Sequence, residues 1–426
     1  MNAHKGENMK ASTVVRTALA SMIVMLGFIS PVARAIAFND DVAENGRIYV
    51  MTNTKSGNTV VVFHRSEDGS LTRLQEVSTG GLGSGAGVLP PPLPPNPGPD
   101  PLQSQDAMVM TGDGRFLLVV NSGSNDLSVM SVTREGLELV SKTPSGGSFP
   151  VSIAEHRGIV YALNEGESPD HPAGGTATIA GFRLNSRGEL SPIANSTRVI
   201  GVDTGTSDIL FSPSGDTLVI TEMFTNLIDI FRLSSDGTPG SKTTITSNTP
   251  TPFGAEFRDD NTLVVTEIDV ITVNGRRMGI ANASTMSSYK LLSDGTMQPI
   301  SESVPSHRTG SCWVRFSRNG QFAYTGDTGS GTISIYGVSA DGSLTLRGFA
   351  SSGGAFSAPL DLDVTPDGKF LYVIIPFGLI ANSPPILPAP ANAGRVQGYR
   401  IESDGTLTPV ATVGDLPFSM QGIVVR

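Results

Sequence analysis

The sequence predicts an all-β fold, a seven-bladed β-propeller, and three observations carry the prediction. A tight turn built on Asp-Gly recurs seven times, a second turn recurs seven times in step with it, and the chain ends on an apolar strand left over from the count. The composition agrees: 49 Gly and 29 Pro with only 16% charged residues favour many turns and short strands over helices.

The first turn appears as Glu67-Asp68-Gly69-Ser70-Leu71, Arg134-Glu135-Gly136-Leu137, Ser186-Arg187-Gly188-Glu189-Leu190 and Ser235-Asp236-Gly237. It continues as Ser293-Asp294-Gly295, Ala340-Asp341-Gly342-Ser343-Leu344 and Ser403-Asp404-Gly405-Thr406-Leu407. Asp-Gly supplies the positive φ of a tight hairpin, and β-branched or aromatic runs such as Thr59–Phe63 and Thr332–Tyr336 precede it. The second turn reads Asn45-Gly46, Gly112-Asp113-Gly114, His156-Arg157-Gly158, Pro213-Ser214-Gly215, Asp259-Asp260-Asn261, Arg318-Asn319-Gly320 and Pro366-Asp367-Gly368. Apolar strands follow it, among them Phe116–Val120, Leu218–Ile220 and Phe370–Ile374.

From Gly69 to Gly405 is 336 residues over six intervals, or 56 per unit. Such a period, with two turns and four strands in each, is the plan of a propeller blade: strand a, turn, strand b, loop, strand c, Asp-Gly turn, strand d. The first unit begins at strand b, Arg47–Met51, and has no strand a. Met420–Val425 at the other end supplies it, closing the ring and leaving no long edge exposed.

Residues 1–35 read as a secretory signal: Lys5, Lys10 and Arg16, an apolar run from Ala18 to Ile29, then Ala33-Arg34-Ala35 as the cleavage site. The apolar run is short for a membrane span. The propeller domain is then 36–426, secreted or periplasmic. Loss of Lys5, Lys10, Arg16, Arg34 and Glu7 takes the net charge from −10 to −13. That balance, with no basic run, excludes nucleic acid as a partner, and membrane insertion is not expected. Cys312 is the single cysteine, so no internal disulfide forms. Nothing calls for an obligate oligomer, and a monomer is expected.

Strand a starts, and strand b ends, on one face of the disc. The insertions Gly80–Ser104, Gly166–Thr176, Asp269–Ala283 and Phe377–Gly394 fall there, two of them Pro-rich (Pro90–Pro101, Pro384–Pro390). Loops grouped on a rigid scaffold build sites, so this face is the expected functional one. The last positions of the strands b are Asn53, Asn121, Asn164, Glu222, Glu267, Asp327 and Ile375, expected as a ring at the mouth of the central channel. Short polar residues at strand ends also cap turns without further function. Entry positions of the strands a include Asp106-Ala107, Ser207-Asp208, Phe253-Gly254, Cys312-Trp313 and Leu360-Asp361. Trp313 beside the axis suits either stacking on a flat ligand or plugging the channel. Cys312 reads as a buried inert thiol rather than a nucleophile. His171, His307-Arg308 and Arg276-Arg277 lie in loops of the same face, where Arg276 or His307 would orient a substrate. His64 and His156 receive no role.

Two chemistries fit. Glu222, its pKa raised by Glu267, would act as general base on water or a ring carbon, with Asp327 beside them and Asp208 at the entry. Alternatively the acids and Asn53, Asn121 and Asn164 form an all-oxygen set for Ca²⁺ or Mg²⁺. No other cofactor is expected. The sequence holds no Zn-type His/Cys spacing, phosphate loop or nucleophile elbow.

At these repeats the chain resembles the lactonase family of seven-bladed propellers, which includes 6-phosphogluconolactonase-like proteins and the carboxymuconate lactonising enzyme. The resemblance covers residues 44–426 and rests on Thr365-Pro366-Asp367-Gly368-Lys369-Phe370-Leu371-Tyr372-Val373, Ser212-Pro213-Ser214-Gly215-Asp216-Thr217-Leu218 and the repeated Asp-Gly turns. It implies hydrolysis of a lactone or related cyclic carbonyl compound, a small-molecule substrate. It also implies an acid at the end of a middle blade's strand b, here Glu222 in Val219-Ile220-Thr221-Glu222-Met223-Phe224-Thr225-Asn226. Active relatives carry a Pro-His pair at the start of a strand a. Here the corresponding positions hold Asp106, Ser207, Asp208, Cys312 and Leu360. The rival reading is a non-catalytic propeller that binds a ligand or protein through its looped face.

Overall fold

The computed structural model describes residues 46–88, 97–98, 100–166, 175–273, 276–353, 357–376 and 392–426. Seven antiparallel sheets follow one another around a ring. Blade four shows the unit: strand a is Thr206–Phe211, b is Thr217–Glu222, c is Leu227–Leu233 and d is Pro239–Thr246, each pairing with the next. Strands b are buried along their whole length in blades two, four, five and seven and but for one half-buried residue in the others, because both faces of every blade are covered by neighbouring blades. Strands d alternate half-buried and exposed residues over much of their length where they meet solvent.

The C-terminal strand Gln421–Val425 lies innermost in blade one against Gly46–Met51, with Tyr49 opposite Val424 and Val50 opposite Ile423. Arg47 and Arg426 exchange backbone hydrogen bonds of 2.7 and 2.8 Å at the end of this pair. The expected closure is present, starting one residue after Met420.

Blades lock together through their turns. Asp404 Oδ1 accepts the N–H of Thr406 at 3.0 Å, and Asp68 treats Ser70 likewise at 2.9 Å. Gly405 then sits at φ 84°, and a Cβ there would lie 2.4 Å from the Phe322 ring of blade six. Buried tyrosines of strands b donate to the next blade's turn: Tyr324 to Gly405 O at 3.1 Å, Tyr372 to Gly69 O at 2.8 Å. One repeated turn therefore closes a hairpin and pins two blades.

Two details differ from the regular plan. The outer strand of blade three is split into Leu190–Pro192 and Arg198–Val202. The blade-five insertion forms a hairpin of Val270–Val273 and Arg276–Gly279. The proposed signal segment, His171 and most of the Pro-rich insertions lie outside the described residues.

Candidate active site

The strand-b ends do not converge on the channel. Asn53, Asn121, Asn164, Glu222, Glu267, Asp327 and Ile375 are all at most 1% exposed. Most of these side chains bond to the loop and strand c of their own blade. Asn53 grips Ser84, donating to Oγ at 2.8 Å and accepting the N–H at 2.9 Å. Asn121 donates to Asp126 and Ser128, each at 2.7 Å. Asn164 donates to Ser145 O at 3.4 Å, and its Oδ1 has no partner among the described residues. Glu267 accepts from Ser247, Thr249 N, Thr285 and Ser287, and Asp327 from Ser311, Thr332 and Ser334. These acids share no partner. Among the described residues no group of three or more His, Cys, Asp or Glu is placed to hold an ion, so the oxygen set expected for Ca²⁺ or Mg²⁺ is not assembled. The reason is geometric, since adjacent strands b belong to different sheets.

Blade four departs from this pattern. The third residue of strand c is Ser128, Ser287 and Ser334 in blades two, five and six, but Asp229 in blade four. Asp229 faces Glu222, and Lys242 Nζ reaches Asp229 at 2.8 Å and Glu222 at 3.5 Å. Thr225 also donates to Glu222. Desolvation pushes the Glu222 carboxyl up to about 7, aided by its hydrogen bond with Asp229 and opposed by Thr225 and Lys242. The acid that raises Glu222 is therefore Asp229, not Glu267.

On the looped face the axis is filled. Gln105 is fully buried and spans the channel, with Nε2 donating to Ala255 O at 2.8 Å and Asp208 Oδ2 at 3.2 Å. Its Oε1 accepts Val314 N–H at 2.8 Å. A Cβ at Gly254 would lie 2.4 Å from that oxygen, so glycine makes room for the plug. Trp313, also fully buried, donates to Ser104 O at 2.8 Å and meets Phe253 edge-on at 5.0 Å. Of its two sequence readings, plug is the one its position supports. Cys312 is 6% exposed and burial drives its thiol pKa up, which disfavours the thiolate.

Beyond the plug, one arginine stands among five acids. Arg315, on strand a of blade six, pairs with Asp106 of blade two and lies 3.9 Å from both Asp361 and Asp363 of blade seven. Asp208 and Glu256 complete the group. Each of these two accepts a backbone N–H from the next blade, Asp208 from Ala255 at 2.9 Å and Glu256 from Phe316. Burial raises the acids against the pull of Arg315: Glu256 to about 8, Asp361 to about 7 and Asp363 to about 6. Asp208 is also raised, by desolvation and then by Asp106.

Two cavities meet at this cluster. One of about 1020 Å³ is lined by Glu256, Arg315 and Asp363 and by the a–b turns at Asp259, Asn319 and Pro366. Another of about 360 Å³ is lined by Asp106, Glu256, Arg315, His156 and apolar side chains. Both open among the a–b turns, on the face opposite the one expected from the insertions. His156, given no role above, belongs to the second.

Of the remaining candidates, Asp208 joins the axial cluster, while His307 is exposed at φ 55° on the looped face. The Arg276 side chain lies outside the described residues. Arg315, Glu256, Asp363 and Gln105 were not anticipated. The signal of the first three was present: charged residues at matching depths in several strands a that are otherwise largely apolar.

An inner ring that carries carboxylates and one arginine at the junction of two cavities defines a propeller with a polar axial site. The sequence model described as "Lactonase, 7-bladed beta-propeller" matches residues 32–168 and 280–375, more than half of the chain. The chain belongs to this lactonase family of seven-bladed β-propellers. Among solved structures, the periplasmic gluconolactonase of Pseudomonas aeruginosa is similar at TM-score 0.64 and 13% identity, covering 89% of this chain and 99% of that one. A Bacteroides uniformis protein proposed to be a 6-phosphogluconolactonase is similar at TM-score 0.63 and 18% identity, again covering 89% and 99%. A Lactobacillus plantarum protein reaches 0.62 at 16% identity, covering 90% and 99%. No curated protein matches the chain in sequence.

Proposed function

We propose that this protein hydrolyses a lactone at the axial cluster, with Glu256 as general base and Arg315 as the cation that stabilises the oxyanion. The observation that carries the reading is that Glu256 and Arg315 line both cavities, beside Asp363 in one and Asp106 in the other. Glu256 uses Oε2 to accept Phe316 N–H. Its other oxygen is available to take a proton from water as that water attacks the acyl carbon. The C–O bond of the tetrahedral intermediate then breaks, and the proton passes from Glu256 to the departing ring oxygen, giving the hydroxy acid. A base held at about 8 predicts a rate that rises with pH toward that value.

Glu222 remains a second candidate base, because its carboxyl is held near neutrality. It is 1% exposed and lines neither cavity, which favours Glu256. Turnover of a panel of γ- and δ-lactones by the wild type, Glu256→Gln, Arg315→Gln and Glu222→Gln separates the two. Loss of about 10²-fold or more is expected in the first two variants. Loss confined to Glu222→Gln moves the base to blade four, and loss in EDTA makes the reaction metal-dependent. No turnover in any form leaves a ligand-binding propeller. Export of a monomer completes the proposal, supported by the basic and apolar N-terminal sequence. An N-terminus after Ala35 on the periplasmic or secreted protein, and a monomeric mass, are the expected results.

A further inference from the structure

The exit of the channel is two-sided. Blades five, six and seven contribute Glu256, Arg315 and Asp363 to it. Blades two, four and five present Val109, Met110, Ile209, Leu210, Phe211 and Phe257 to the 360 Å³ cavity. All but Ile209 are only half-buried, although Val109, Met110 and Phe211 pack from behind on one core cluster and Leu210 and Phe257 on another. Partly exposed large apolar side chains converging on one concave surface mark a binding wall.

Of the polar groups on that side, Glu155 is engaged by backbone N–H groups, whereas His156 Nε2 has no hydrogen-bond partner among the described residues. Glu155 accepts Gly112 N–H at 2.9 Å and Gly158 N–H at 2.7 Å, and His156 lies against the Phe211 ring at 5.8 Å. Against the apolar side chains of this wall a polyhydroxylated ring would strip water from its hydroxyls and gain no hydrogen bond in exchange. A lactone carbonyl at Arg315 and Glu256, by contrast, leaves room beside it for an apolar group.

We infer that the substrate is a lactone bearing an aliphatic or aromatic substituent, with its ring at Arg315 and Glu256 and its substituent in the 360 Å³ cavity. This rests on the lactonase reading above and adds the substrate class.

The test is a series of γ-lactones carrying 4-alkyl chains from methyl to octyl, run beside an unbranched polyhydroxy δ-lactone. kcat/KM should rise roughly fourfold per added methylene until the cavity is full, as burial of apolar surface predicts. Met110→Ser and Phe257→Ser, both checked for an intact fold by circular dichroism melts, should flatten that rise mainly through KM. A flat series, or preference for the polyhydroxy lactone, overturns the substituent inference while hydrolysis itself stands. A steep series unchanged in both variants places the chain elsewhere and overturns it too. Absence of turnover on every lactone overturns this inference and the lactonase reading together.

Discussion

Asp208, Glu256, Asp361 and Asp363 each place one oxygen on a backbone N–H of the following blade, the last two on Ile423 at 3.3 Å and Val425 at 2.7 Å. Inner strands of adjacent blades share no ladder, so carboxylates satisfy donors that a sheet would otherwise pair. In the reaction proposed above Glu256 is also the base, and Arg315 offsets part of the mutual repulsion of the group. At Glu222 the balance is different. Its pKa in the folded chain, about 7, lies above the ordinary 4.5, so between those values the folded state holds an extra proton. Stability therefore falls as pH rises through that window, by about 3 kcal/mol from this group. Glu222→Gln should remove the fall and be more stable than wild type above pH 7, read by urea unfolding from pH 4 to pH 8. A variant whose pH profile parallels the wild type would show that Glu222 ionises freely.

The repeated elements carry more than hairpin closure. Gly405 holds φ 84° and leaves space for Phe322, while Gly414 would place a Cβ no nearer than 3.9 Å to any neighbour's heavy atom. Gly405→Ala should cost about 2–4 kcal/mol, combining left-handed backbone strain with displacement of the ring. Gly414→Ala should stay within about 0.5 kcal/mol, and the pair of unfolding midpoints checks the contrast. The segment entering blade two is the other element with a global role. Ser104 and Gln105 reach blades three, four, five and six, donating to Val151 O, Asp208, Ala255 O and accepting from Val314 and Trp313. A loop that looks like an insertion in the sequence thus acts as the hub of the disc.

Closure is a property of the whole molecule. The strand Gln421–Val425 covers the edge of Gly46–Met51 and supplies the N–H groups of Ile423 and Val425 to Asp361 and Asp363. Ending the chain at Pro417 would expose a buried edge strand and strand two axial carboxylates. We expect such a protein to lose its cooperative melt and to associate through the open edge, seen as large species in size-exclusion chromatography. A monomer with an unchanged melt would show that the ring holds without its clasp.

By itself the sequence determined the seven blades, their strand order and the closing strand. Those follow from local causes: Asp-Gly geometry at Asp68 or Asp404, alternating apolar runs, and a period of 56. It also marked the strand-b ends as special, since polar side chains at one repeat position signal a shared environment. Only the tertiary structure decided that Asn121, Glu267 and Asp327 are spent on strand c and adjoining segments, that Asp229 is the partner of Glu222, and that Gln105 and Trp313 seal the axis. Arg315, Asp106 and Glu256 come from three different blades, up to 209 positions apart, and meet only because the ring closes. Turn chemistry acts over a few residues and can be read along the chain. Charge, burial and cavity shape at the axis are sums over all the blades, and exist only once every blade is in place.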